Sequence, residues 1–138
     1  MEDSDLIRKK RYMKRYKKNN TLINRLENKL ADLDARMYKI KSPNYSDMPR
    51  GGTPVTMEDL MSEKLETEER INRLCVKGKK LRSETLEKID TLEDSRYAEI
   101  LELFFINSMG FDAIAEKTGY TVRHVIRLYT EGIEQLDF

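Results

Sequence analysis

The chain has one cysteine, one histidine and no tryptophan in 138 residues. A lone cysteine cannot close an internal disulfide, which suits a reducing cytoplasm. One cysteine and one histidine cannot supply a four-ligand zinc site of the usual nitrogen and sulfur type. No run approaches the roughly 18 apolar residues needed to cross a bilayer. The N-terminus is polar and then basic, without the apolar stretch of a secretory signal. There is no glycine-rich phosphate loop, no HExxH and no GxSxG. These absences argue against an enzyme, and no metal or cofactor is expected. Three prolines and six glycines are few breakers for this length, favouring long helices over an all-β fold.

What the chain does have is charge. Charged residues make up 37% and hydrophobic ones 38%. Such a composition can bury a thin core, one set between helices rather than in a deep globule. The formal net charge of +1 says nothing about a partner, so the distribution must.

Residues 4–41 read as one long helix, with Ser4 or Asp5 able to cap its start. From Ile23 the apolar positions follow 3-4 spacing: Ile23, Leu26, Leu30, Leu33, Met37 and Ile40. Tyr16 and Tyr12 extend this seam backward, with polar Asn19 between Tyr16 and Ile23. Residues 42–56 hold all three prolines and two glycines and stop the helix. A second helix is expected near Thr56, where Thr56 and Asp59 resemble a capping box. Its stripe runs Leu60, Thr67, Ile71, Leu74, Cys75, Gly78, Leu81, Thr85, Ile89 and Leu92. Cys75 is expected to be buried there, and Gly78 to cost about 1 kcal/mol relative to alanine unless it permits a close helix crossing. The two helices are expected to form an antiparallel hairpin or coiled coil over residues 1–92. Residues 93–138 are richer in apolar side chains and read as three shorter helices, near 94–107, 111–117 and 121–136. Gly110 and Gly119 fall at the joints. The fold class is therefore all-α.

Charge is segregated along the chain. Residues 1–20 carry eight basic and three acidic residues, whereas 57–69 carry one basic and six acidic. Residues 97–138 carry three basic and seven acidic. In an antiparallel hairpin the acidic stretch lies beside residues 28–40. The cluster Arg8, Lys9, Lys10, Arg11, Lys14, Arg15, Lys17 and Lys18 is then left to contact a DNA backbone or an acidic protein surface. The alternative is a solvated helix face. The heptad seam is either intramolecular core or an interface joining subunits, and a homo-oligomer, dimer or tetramer, is expected.

The most specific pattern runs from Gly110 to Leu128. Ile114 and Ala115 supply an aliphatic and then a small residue on the inner face of a short helix. Gly119 supplies a turn position tolerant of positive φ. Thr121 supplies the next cap. Val125 and Leu128 form the buried pair of the last helix, leaving Thr121, Arg123, His124 and Arg127 outward. Ile100-Leu-Glu-Leu-Phe-Phe-Ile106 supplies the packing helix. This is the pattern of a helix-turn-helix, whose last helix would enter the major groove of double-stranded DNA. The alternative is an ordinary three-helix domain that binds protein.

Residues 97–136 resemble the fourth conserved region of bacterial sigma factors. The whole layout, including the loop Ser42-Pro-Asn-Tyr-Ser-Asp-Met-Pro, is similar to small phage and prophage regulators of the RinA/ArpU type. That resemblance implies a DNA-binding transcriptional regulator, an activator of phage late genes, in the cytoplasm of a bacterial host. It implies no catalysis, no cofactor and no membrane partner, and allows contact with RNA polymerase. Thr121, Arg123, His124, Ile126 and Arg127 carry the recognition-helix roles. Ile126 departs from the arginine that sigma factors usually place there. An isoleucine can touch a thymine methyl or a protein partner, so the sigma specificity does not transfer. Two other readings remain at this point: a small terminase subunit that binds DNA for packaging, and a sigma-like adaptor that binds RNA polymerase.

Overall fold

A computed structural model describes residues 4–41 and 55–138. Every regular element among them is helical: α1 (Ser4–Met13), α2 (Arg15–Lys41), α3 (Met57–Ile89), α4 (Ser95–Phe105), α5 (Phe111–Thr118) and α6 (Val122–Gln135). The all-α class is therefore the observed one. The expected loop over 42–56 lies outside the described residues except for Val55 and Thr56. None of the described helices is long and apolar enough to cross a membrane.

The packing falls into two units, one within Met1–Asn20 and Lys77–Phe138, the other within Thr21–Val76. The boundary expected between residues 92 and 93 thus falls inside the first unit. The helix expected over 4–41 is interrupted at Lys14. There the Tyr12 carbonyl accepts from Nε of Arg15 at 3.0 Å, while Lys14 still donates to Lys10 and accepts from Lys18.

In the Thr21–Val76 unit, α2 and α3 bury Leu26, Leu33, Leu60 and Thr67. Ion pairs Lys29–Glu63 at 3.1 Å and Lys64–Asp34 at 2.9 Å flank that seam. The start of α3 closes as expected: Asp59 N–H donates to Thr56 Oγ1, and Thr56 N–H donates to Asp59 Oδ2. Thr67 is tolerated at a buried position because its hydroxyl donates back to the Glu63 carbonyl at 2.8 Å. Cys75 is exposed, not buried as expected. It sits one residue past half-buried Leu74, about 100° further round the helix, which carries it off the inner face.

The larger unit holds the main core. Met13, Ile89, Ile100, Leu101, Leu103, Phe105, Ile114, Val125, Leu128 and Ile133 are buried together. α4, α5 and α6 pack on one another, and α1 packs on α6. Two glycines permit close approaches. A Cβ on Gly78 would meet Asn19 Nδ2 at 2.9 Å, and one on Gly132 would meet Tyr97 Cβ at 3.2 Å. Thr85, fully buried on α3, donates to the Leu81 carbonyl at 2.8 Å.

α1 is tied to the far end of α6 by a buried cation. Lys9 is 8% exposed, and its Nζ donates to the carbonyls of Glu134 at 3.1 Å and Leu136 at 2.8 Å. A helix C-terminus presents unsatisfied carbonyls at the negative end of its dipole, and an ammonium satisfies both demands. Hydrogen bonds to a charged donor contribute about 1.5–3 kcal/mol each when buried. Lys9→Met, which removes both, should therefore lower unfolding stability by about 3 kcal/mol or more. Arg11→Met on the exposed face should stay within about 0.5 kcal/mol of the parent. Urea titration followed by circular dichroism separates the two outcomes.

Candidate nucleic-acid interface

The joint between α4 and α5 uses Ser108, at φ 56, as its left-handed residue. Gly110, expected at that bend, is extended (φ −76, ψ 168) and serves as the N-cap of α5. α5 buries Ile114 and Ala115, as its sequence implied. It ends at Gly119, which is left-handed (φ 82, ψ 4) and donates its N–H to the Ala115 carbonyl at 2.9 Å. Thr118 Oγ1 donates to the Ile114 carbonyl at 2.7 Å. A Cβ added at Gly119 would meet nothing within 4 Å, so a side chain there meets a conformational penalty and no clash. Gly119→Ala should cost about 1–2 kcal/mol of stability, and Gly119→Asn clearly less, because asparagine tolerates this region. Thermal unfolding of the two variants checks the order.

Thr121 then caps α6, its Oγ1 accepting from the His124 N–H at 3.1 Å. One side of α6 is locked into the core through Val125 at 0% and Leu128 at 1% exposure. The opposite side presents Thr121, Val122, Arg123, Ile126 and Arg127 to solvent. Ile126 is 42% exposed and Val122 39%, so an apolar strip lies beside the two guanidinium groups. Arg123 makes no hydrogen bond or ion pair among the described residues. Arg127 is held in place: its Nη2 lies 2.8 Å from Nδ1 of His124, and its Nε is 4.0 Å from Oε1 of Glu131. An arginine only donates, so in this contact Nδ1 of His124 takes the acceptor side. His124 is half-buried, with Tyr120 packed edge-on at 4.8 Å. Glu131 is anchored from α4 by the Tyr97 hydroxyl, which donates to its Oε2 at 3.0 Å. That hydrogen bond, with some burial, raises the Tyr97 phenol above its ordinary value. The start of α4 is fixed by Asp94, which caps Arg96 N–H. Arg96 holds that carboxyl below the usual range.

The N-terminal basic cluster is divided. Lys9 is buried in the α6 cap and does not stand on the surface with the others. Arg8 pairs with Asp5 at 2.6 Å and lies over the Phe138 ring. Arg15 pairs with Glu84 at 2.6 Å and stacks on Tyr12 at 3.9 Å. Lys17 sits 3.7 Å above the Phe104 ring, where desolvation, helped by nearby Lys14, lowers its ammonium from the ordinary value. Lys10 approaches Tyr129 at 5.9 Å, and Lys14 is half-buried. Arg11 and Lys18 stand exposed. Most of the cluster is thus engaged by carboxylates, backbone carbonyls or aromatic rings of its own unit.

Sequence reasoning did not foresee the aromatic group beneath these lysines. Phe104 stacks on Phe111 at 5.0 Å and meets Tyr129 edge-on at 4.8 Å. Burial pushes the Tyr129 phenol up to about 12. The clue was the interleaving of Tyr12, Met13 and Tyr16 with the basic residues, which marks a helix with one packed face. Gly132, inside a helix that otherwise needs no glycine, was a second clue. Among the described residues no group of three metal-ligating side chains comes together.

No curated protein and no solved structure matches the chain. A family model described as "Protein of unknown function (DUF1492)" matches residues 39–137, taking in α3 to α6 and leaving α1 and most of α2 outside. With that match covering well over half of its length, the chain belongs to the DUF1492 family.

Proposed function

We propose that the chain is a sequence-specific DNA-binding regulator of transcription. In this reading α5, the Gly119 turn and α6 act as a helix-turn-helix, with α6 in the major groove. The observation that carries it is the two-sided character of α6. Val125 and Leu128 are sealed in the core while Thr121, Arg123, Ile126 and Arg127 face outward just beyond a left-handed glycine turn. Arg123 and Arg127 supply the forked donors that read guanine, and Ile126 supplies the apolar contact that suits a thymine methyl. The Thr121 hydroxyl, while accepting from His124, keeps a proton to donate to a phosphate. Exposed Arg11 and Lys18 add backbone attraction. DUF1492 membership agrees with a phage or prophage setting. The RinA/ArpU-like layout favours activation of late genes in a bacterial host, with the subunits acting as a homo-oligomer.

One observation favours a second reading, the RNA polymerase adaptor. Val122 and Ile126 are exposed on the same side as the arginines, and apolar side chains beside arginine also suit a protein interface. Selection of duplexes from a random pool by the purified protein distinguishes the two. Enrichment of a discrete motif supports DNA reading. Recovery of unrelated sequences, with retention lost as salt rises, would count against it.

A further inference from the structure

The outer side of α3 carries an apolar stripe that none of the described residues of its own unit covers. Met61 is 54% exposed, Leu65 61% and Val76 70%. At helical spacing they fall on one face with Glu68 and Asn72, turned away from buried Leu60 and Thr67. The charge of α3 reverses along its length. Residues 57–69 carry six acidic and one basic residue, and residues 70–82 carry six basic and none acidic. Much of that charge has no partner: Glu66, Glu68 and Glu69, and likewise Arg70, Arg73, Lys77, Lys79, Lys80 and Arg82, make no ion pair among the described residues.

We infer that this face of α3 binds a second copy of the same chain, with the two α3 helices antiparallel. The charge pattern selects that occupant and that orientation. A helix acidic in one half and basic in the other is self-complementary only when reversed, whereas a parallel pair sets acid on acid and base on base. The stripe has the matching symmetry. Met61 pairs with Val76 and Leu65 with Asn72 about one point, midway between residues 68 and 69, next to where the charge changes sign. Glu68 works against the pairing, because its carboxylate lies at the dyad near its own copy.

The test measures the mass of the full chain by sedimentation over a wide concentration range. The parent should reach twice the monomer mass, and Leu65→Lys should stay monomeric with unchanged helicity, since residue 65 is exposed. Glu68→Leu should tighten the dimer by about tenfold or more, as replacing an opposed charge with a buried leucine warrants. Under mild oxidation Cys75 should not cross-link the dimer. The two sulfurs lie about 20 Å apart along an antiparallel pair, whereas a parallel register brings them together. A parent that stays monomeric throughout overturns the inference. So does a dimer indifferent to both substitutions, or one rapidly cross-linked through Cys75.

Discussion

Met13→Ala should lower the unfolding free energy by about 2–5 kcal/mol, the range for emptying a sealed site in a packed core. Met13 is 0% exposed and belongs to the same cluster as Ile89, Ile100, Phe105 and Ile133. It sits on α1, within the basic cluster Arg8–Lys18, which read from composition alone is an arm free to grip DNA. A free arm would make this substitution nearly neutral. An integral α1 makes it one of the most damaging single changes in the molecule, because truncation leaves a void beneath helices that are themselves held by others. Ile7→Ala is the internal control: Ile7 is 41% exposed, so its loss should shift stability by about 0.5 kcal/mol or less. Urea titrations of the three proteins, compared at equal slope, measure both effects.

The second large effect concerns binding. Arg123→Ala combined with Arg127→Ala should reduce the preference for a selected duplex over random DNA by about a hundredfold or more. Each bidentate arginine–guanine pair contributes on the order of 1–3 kcal/mol of discrimination. Residual non-specific binding should persist, because Arg11 and Lys18 are untouched. The two arginines should not behave alike. Arg123 is free to reach a base, so Arg123→Ala removes a contact and nothing else. Arg127 is pre-set by His124 at 2.8 Å, so His124→Ala should weaken discrimination as well, by loosening the guanidinium rather than by removing a reader. Competition assays against random duplex at two salt concentrations resolve specific from backbone contributions.

Local chemistry made part of this fold legible in the sequence. The Thr56–Asp59 cap and the α5–turn–α6 segment each rest on residues within a few positions of one another. Gly119 can adopt φ 82 cheaply, Thr121 can cap, and Ile114, Val125 and Leu128 mark the inner faces by spacing alone. The same periodicity placed Thr121, Arg123 and Arg127 outward, whereas His124, expected outward with them, is half-buried against Tyr120. What stayed hidden depends on partners far along the chain. Lys9 reads as one cation among eight until α6 brings the Glu134 and Leu136 carbonyls to it, 125 and 127 residues away. Phe104, Phe111 and Tyr129 read as separate apolar positions until three helices converge. Cys75 was misplaced because its neighbours Leu74 and Gly78 both belong to the inner stripe, and a stripe read by eye is wider than the face a partner helix covers. Ser108 supplies the left-handed residue of the joint where Gly110 was expected, since a serine at that turn is tolerated and leaves no signature.

The most direct measurement is methylation interference on a selected duplex, in which guanine N7, exposed only in the major groove, is modified before binding. If the outer side of α6 lies against base edges, methylation at a few discrete guanines blocks binding, and Arg123→Ala erases the block at one or more of them. Interference confined to phosphate modification, with every methylated guanine tolerated, would contradict the account and leave α6 as a surface for protein.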